Sequence, residues 1–335
     1  AADPGLVFDS GFNDWLGFLC GTAINPVNCT ADGIAVLDPS DLNTPSVAVG
    51  SLVGSRTITR RVTNVSDGTA TYRPSIAGMT GFNVSFSPSS ITLARGQTKS
   101  FNVTFTRTTA ALNEYAGGQL TLSGGTSKKA RDQHKVRIPV VLKPVALAAP
   151  AEVSGSYGVK FGFSGPFTAT ARGLVPAITT AGSVATNGAV EIKVDIPAGT
   201  TLARFSLFDA NVSAASDLDL EVYNAAGALV GSSGSGTSAE EVNLANPAAG
   251  AYTVRVIGFA TPGNAPVNFT LFNWALGSTA AGNMTVTAPA TATTGATGTI
   301  TLAFNGLLAG VKYIGSVVYA GDPAVPGPTV VRVNP

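Results

Sequence analysis

An all-β fold of tandem antiparallel sandwiches, with one short helical segment at the start, is what this sequence predicts, and three observations predict it. From residue 45 onward, apolar and polar residues alternate with period two in run after run. Turn-forming Gly, Pro, Asn and Asp break those runs every ~8–12 positions, the spacing of strands in a sandwich. Only 12% of the 335 residues are charged, while Gly, Ala, Thr, Val and Ser dominate. That composition suits sheets with one buried face and a Thr/Ser-rich outer face.

Residues 1–44 stand apart from the strand pattern. Phe12, Trp15, Leu16 and Leu19 have the spacing of one helical face. Asp9 or Ser10 could cap this helix and Gly21 could end it. The strands then begin. Phe82, Val84 and Phe86 alternate with Asn83, Ser85 and Ser87; Phe101, Val103 and Phe105 alternate with Asn102, Thr104 and Thr106. Val136, Ile138, Val140 and Leu142 continue the period, and 143–154, rich in Pro and Ala, reads as a linker. Ile192/Val194/Ile196, Phe205/Leu207, Leu218/Leu220/Val222 and Tyr252/Val254/Val256 describe a second sandwich. The stretch 231–238, GSSGSGTS, reads as a flexible turn region within it. Met284/Val286, Ile300/Leu302/Phe304, Tyr313/Val317/Tyr319 and residues 330–333 supply a last strand set.

Composition excludes some functions. The net charge is +1 and the basic residues are scattered, so nothing steers the chain to nucleic acid. The one basic cluster, Lys128, Lys129 and Arg131, reads as a solvated loop. No run approaches the roughly 18 apolar residues of a membrane helix; the best, 140–151, is broken by Lys143, Pro144 and Pro150. No signal peptide is evident, and an opening of A-A-D-P-G reads as a processed or excised fragment. Cys20 and Cys29 have a spacing that suits a local disulfide, two buried thiols being the alternative. Low Lys and Glu with abundant Thr, Ser and Asn favours export, and hence the bond. Asn-X-Ser/Thr sequons begin at Asn28, Asn64, Asn83, Asn102, Asn211, Asn268 and Asn283, and matter only in a eukaryotic host.

The stretch D-P-G-L-V-F-D over residues 3–9, followed by W-L-G-F-L-C-G over 15–21, resembles the end of the peptidase domain in plant-type subtilases. N-T-P-S at 43–46, T-I-T-R-R-V-T-N-V at 57–65, F-S-P at 86–88 and F-N-V-T-F at 101–105 are similar to the fibronectin type III-like domain of those enzymes. Ser66 stands where that family usually has Gly. Past residue 150 the likeness changes. R-F-S-L-F-D at 204–209, S-D-L-D-L-E-V-Y at 216–223 and A-G-A-Y-T-V-R-V at 249–256 resemble a bacterial pre-peptidase C-terminal domain, a jelly-roll sandwich appended to secreted peptidases. The combined resemblance implies the C-terminal part of a secreted bacterial subtilase.

A subtilase needs Asp, His and Ser brought together so that His takes the serine proton while Asp orients the ring. G-T-S-A at 236–239 echoes the sequence around the family's nucleophile, but it lies between strand patterns and runs into Glu240 and Glu241. The single histidine, His134, sits in a Lys/Arg/Asp-rich stretch of a different sandwich and reads as a solvated loop residue. No catalytic residue is therefore expected. Asp209, Asp217 and Asp219, with Glu221, place carboxylates close in sequence and are candidate calcium ligands. Alternation puts Asp217, Asp219 and Glu221 on the face opposite Leu218, Leu220 and Val222, and a solvated outer face with turn-stabilising aspartates is the reading favoured over calcium. No cofactor is expected apart from that calcium. Trp15 and Trp274 each lie in an apolar pattern and are expected in a core.

The expected organisation is a peptidase tail and linker at 1–44, a fibronectin type III-like sandwich at 45–147, an Ig-like sandwich built from 148–177 plus 279–335, and a jelly roll at 178–278. Residues 279–335 hold about four strands, a marginal core if left alone, and 155–175 carry strands that the jelly roll does not need. A plain string of consecutive domains is the alternative. The function expected is an extracellular, non-catalytic accessory of a subtilisin-like serine endopeptidase. It would brace its own peptidase domain and bind a protein or polymer substrate or a cell surface, without nucleic acid or membrane insertion. A self-assembling surface-layer or filament protein, using sheet edges, is the alternative, and homo-oligomers stay open.

Overall fold

The computed structural model describes residues 4–22, 29, 31–127, 129 and 133–335. Asn28, Lys128 and Arg131, singled out above, lie outside the described residues. Strand dominates, in largely antiparallel sheets that enclose three large hydrophobic cores, with a fourth, smaller cluster around Trp274. The single α-helix among the described residues runs Phe12–Cys20 and ends at Gly21. Its N-cap is Gly11 rather than Asp9 or Ser10. The Asp14 carboxylate accepts from the Gly11 N–H at 2.9 Å, so the cap is made from inside the helix. Cys20 and Cys29 are joined in a disulfide with Cα atoms 6.0 Å apart. Alkylation of unreduced, unfolded protein should accordingly modify neither cysteine, and a mass spectrum carrying two alkyl groups would refute the bond.

The first core lies between two sheets. One has the order Leu6–Val7, Ser55–Asn64, Thr98–Arg107, Phe82–Ser87; the other runs Val47–Leu52, Gln133–Pro144, Ala116–Gly125, Ala70–Ala77, Ile91–Leu93. Phe101, Val103 and Phe105 point inward, against Leu120, Leu122 and Ile138. The alternation in Ser55–Asn64 aims Ile58, Arg60, Val62 and Asn64 all inward. Asn64 is satisfied there: its amide donates to the Gly68 and Leu93 carbonyls and its oxygen accepts from Ser66 N and Oγ. Ser66 thus supplies a hydroxyl where glycine would supply none, and the buried Asn64 sequon offers no amide to a glycan.

The second core lies between a sheet ordered Leu147–Ala148, Tyr157–Phe161, Thr297–Phe304, Met284–Thr287 and one ordered Glu152–Val153, Thr329–Val333, Tyr313–Ala320, Thr168–Pro176. Phe161, Phe163 and Phe167 pack in it with Tyr319 and Ile300. The 143–154 stretch, read as a linker, instead ends one strand at Pro144 and forms two short ones. Its apolar residues Leu147 and Ala146 are buried, so the segment is worth pairing rather than leaving in water.

A buried chain of hydroxyls crosses this core. Tyr157 and Tyr319 hydroxyls lie 2.6 Å apart, Tyr319 and Thr329 hydroxyls 2.6 Å, and Thr329 donates to the Pro150 carbonyl at 2.7 Å. Burial pushes both tyrosine pKa values above the usual phenol range. The folded pKa values exceed the unfolded value of 10.0, so this stabilisation is complete below pH 10 and is lost as pH rises beyond it. The expected loss is at most about 1.4 kcal/mol per pH unit for each tyrosine. Tyrosinate absorbance should show these two phenols ionising only as the protein unfolds, whereas ionisation of all seven tyrosines in native protein near pH 10 would contradict it.

The third core belongs to residues 178–276. Numbering its eight strands in chain order, from Ile178–Val184 to Val267–Leu276, one sheet runs 1-8-3-6 and the facing sheet 2-7-4-5. This is the jelly-roll order. Phe205, Leu218, Leu220, Val254 and Phe269 fill it. The 231–238 stretch is not all turn: 231–233 complete the strand Leu229–Ser233, paired with Asp217–Tyr223.

Candidate functional site

The carboxylates singled out from the sequence all lie in the jelly roll. Asp217–Tyr223 alternates, with Leu218, Leu220 and Val222 buried and Asp217, Asp219 and Glu221 on the other face. Asp209 sits in a short 3-10 turn after the strand Leu202–Ser206. Asp209, Asp217, Thr237 and Ser238 line one open cavity of about 620 Å³ at the end of the sandwich. The Asp209 carboxylate accepts the Ser238 N–H at 2.9 Å, while Asp217 Oδ1 is buried and accepts no hydrogen bond. Burial raises the Asp219 pKa, and the neighbouring charges of Asp217, Glu240 and Glu221 raise it further. Among the described residues, no three carboxylate, histidine or cysteine side chains converge on a point where one ion could sit. Asp209 and Asp217 share the cavity; Asp219 does not line it.

Ser238 is buried. Its hydroxyl donates to the Ser216 carbonyl at 2.8 Å, which pins the turn rather than presenting a nucleophile. Glu240, also buried, accepts from Ser235 N at 2.7 Å and from the Ser233 hydroxyl. His134 is not in a loop. It lies half-buried on the strand Gln133–Pro144, around the first core, where its ring and the Tyr72 hydroxyl leave no room for a Cβ at Gly5. The φ of Gly5 is +72°, so glycine is required there twice over.

A second candidate is the helix Phe12–Cys20. It is tied to the first sheet by Arg61–Asp14 at 2.8 Å, and the residues before it, Asp9 and Ser10, bond to Asn43, whose amide also donates to the Arg61 carbonyl at 3.1 Å. With the helix held there, Trp15 is 47% exposed and Phe12 77% exposed. The expectation of a core Trp15 is therefore wrong: its helical face is apolar, but the described residues do not cover it. Trp274 does lie in a core.

The sequence reading missed two buried arginines. Arg60 shares the inward register of Ile58 and Val62, and that register was the available signal. Arg204 lies beneath an ion-pair network that reaches across to Glu152.

Comparison with known proteins adds to this geometry. Residues 41–142 match the fibronectin type-III domain and residues 184–258 the bacterial pre-peptidase C-terminal domain. Subtilisin-like protease SBT2.5 of Arabidopsis thaliana is 40% identical over 147 residues, covering 42% of this chain and 17% of that protease. Subtilisin-like protease SBT2.6 of the same plant is 37% identical over 147 residues, with the same shares. The chain thus spans less than a fifth of the length of these relatives. Among solved structures, the secreted serine protease VesC from Vibrio cholerae aligns over 70% of this chain and 50% of its own at 12% identity. The TM-score is 0.24, an overlap too loose to argue from. With these two domains matched in succession, and likeness to these proteases over 42% of its length, the chain is similar to a C-terminal, non-catalytic region of a subtilisin-like protease.

Proposed function

We propose that this chain is the accessory part of an extracellular subtilisin-like serine endopeptidase, bracing the peptidase domain and bringing the enzyme to a protein or polymer substrate or to a surface. Its organisation in this reading is a peptidase tail at 1–44, a fibronectin type III-like unit at 45–147, a discontinuous Ig-like unit at 148–177 plus 279–335, and a jelly roll at 178–278. The observation that carries the bracing role is the exposed Phe12 and Trp15 pair on a helix pinned to the first sheet by Arg61–Asp14. Covering an aromatic of that size on association contributes roughly 1.5–3 kcal/mol.

In the parent protease, Trp15→Ser should shorten the half-life of activity at elevated temperature while leaving the turnover of a short peptide unchanged. An unchanged half-life would remove the bracing role. The chain alone should hydrolyse neither peptides nor esters, since the Ser238 hydroxyl is spent on a carbonyl. Peptide hydrolysis that vanishes on Ser238→Ala would overturn the accessory reading.

A further inference from the structure

A jelly roll joined to its neighbour by two single connections would by default swing on them, as most units within a chain do when their contact is small and polar. The sequence of strand 8 argues otherwise. From Leu271 to Trp274 every residue is buried, whatever face it points to, and continuous burial marks a strand covered on both sides. One side faces the jelly-roll core. On the other, Phe272, Trp274 and Leu276 pack with Ile314 of the Tyr313–Ala320 strand. Trp274 is 1% exposed. Its indole N–H donates to the Lys312 carbonyl at 3.2 Å, and the Lys312 ammonium lies 4.6 Å over the Phe208 ring.

Strand 3 repeats the arrangement with charge. Arg204 points away from the jelly-roll core yet is 3% exposed. Its Nη2 meets Glu152 at 2.5 Å and Glu241 at 3.2 Å, its Nε donates to Asn243 at 2.6 Å, and Arg332 meets the other Glu152 oxygen at 3.3 Å. Glu241 and Asn243 belong to the jelly roll; Glu152 and Arg332 belong to the sandwich around the second core. The charges therefore alternate along the row Arg332, Glu152, Arg204, Glu241, and the boundary is crossed between Glu152 and Arg204. Both connections are also held. Ala177 N donates to the Lys312 carbonyl at 2.8 Å, and beside the return connection Gly173 N donates to Thr279 O at 2.9 Å.

The geometry points to a built-in clamp: Trp274 and the Arg204–Glu152 pair lock the jelly roll to the neighbouring sandwich, so that the two move as one body. Neither contact suffices alone for this. The apolar contact supplies adhesion without fixing an angle, whereas the ion pair is directional and is costly to break once Arg204 is out of water. The clamp covers the outer face of the 1-8-3-6 sheet at strands 8 and 3, while strand 1 stays largely exposed, with Ile178 64% exposed. The 2-7-4-5 sheet, strand 1 and the ends of the jelly roll remain free, and the clamp holds them at a fixed angle to the rest of the chain. This holds whatever the jelly roll binds, and independently of the protease reading.

Spin labels on the full chain test it. Both native cysteines are bonded to each other, so introduced ones label cleanly. A Lys193→Cys/Thr301→Cys pair spans the boundary, and a Lys193→Cys/Ser232→Cys pair lies within the jelly roll; all three positions are exposed. The expected result is a spanning distance distribution as narrow as the internal one. Adding Glu152→Lys, which sets a like charge against Arg204, should broaden the spanning distribution at least twofold and leave the internal one unchanged. A broad spanning distribution in the otherwise native chain would overturn the clamp, and this outcome does not depend on how the variant folds. A Glu152→Lys chain whose spanning distribution stays narrow would remove the ion pair from it.

Discussion

Replacing Arg60 by alanine is expected to lower the stability of the first sandwich by about 3–5 kcal/mol, enough to unfold a marginal domain. Arg60 is 2% exposed. Its guanidinium donates to backbone carbonyls only: Ser46 at 2.7 Å, Thr59 at 2.8 Å, Ser40 at 3.0 Å and Thr44 at 3.2 Å. These carbonyls belong largely to the segment 40–46, which leads into the strand Val47–Leu52 and has little regular structure of its own. Alanine would take the guanidinium donors from the buried Ser40 carbonyl and from those of Thr44, Ser46 and Thr59, and would open a cavity where the side chain lay; each buried group left without a partner costs about 1–3 kcal/mol. Burial lowers the Arg60 pKa to about 10, which leaves the charge intact at neutral pH, so the effect should not vary between pH 6 and 8. Urea unfolding followed by circular dichroism measures it. A loss under about 1 kcal/mol would mean that water takes over the carbonyls, and that Arg60 is not what holds the segment. Lysine should recover only part of the loss, since one ammonium cannot reach carbonyls on both sides of a planar fork.

Much of the β architecture was legible because alternation is a property of single strands. Phe101, Val103 and Phe105 face inward as their spacing says, and so do Leu218, Leu220 and Val222. Where the reading failed, the missing information was what lies on the second side of an element. Trp15 has an apolar helical face, and nothing in its spacing says whether a partner covers that face. The Pro- and Ala-rich 143–154 carries no long alternation, yet two short runs find strand partners: Leu147–Ala148 beside the nearby Tyr157–Phe161, and Glu152–Val153 beside Thr329–Val333 far along the chain. Arg60 broke the expected pattern in an informative way. A charged residue in the register of Ile58 and Val62 has to be satisfied by backbone, and the nearest unpaired backbone is the loop before it. At the jelly-roll cavity, alternation placed Asp217 and Asp219 on one face, but only the folded loop brings Asp209 and Ser238 beside Asp217. That convergence is tertiary, and no spacing encodes it.

Trp274→Ala should cost about 3–5 kcal/mol, the range for deleting a large buried aromatic. Unlike a deletion inside one core, the loss should appear at a boundary. Trp274 stacks beside Phe272, with ring centroids 6.2 Å apart, and packs in one cluster with Ile314. Removing it deletes adhesive surface from the jelly roll and takes one of two donors from the Lys312 carbonyl, which keeps the Ala177 N–H. A double-mutant cycle separates this from a generic packing defect. Trp274→Ala and Ile314→Ala share a contact, so their effects should fall short of additivity by about 0.5–3 kcal/mol. Trp274→Ala and Phe105→Ala lie in different cores and should add to within about 0.5 kcal/mol. Calorimetry should also show the single unfolding transition of the jelly roll and its neighbour splitting into two once the indole is gone. Full additivity with Ile314→Ala, together with an unsplit transition, would mean that Trp274 only fills space. The clamp, which needs the apolar contact as well as the Arg204–Glu152 pair, would then be overturned.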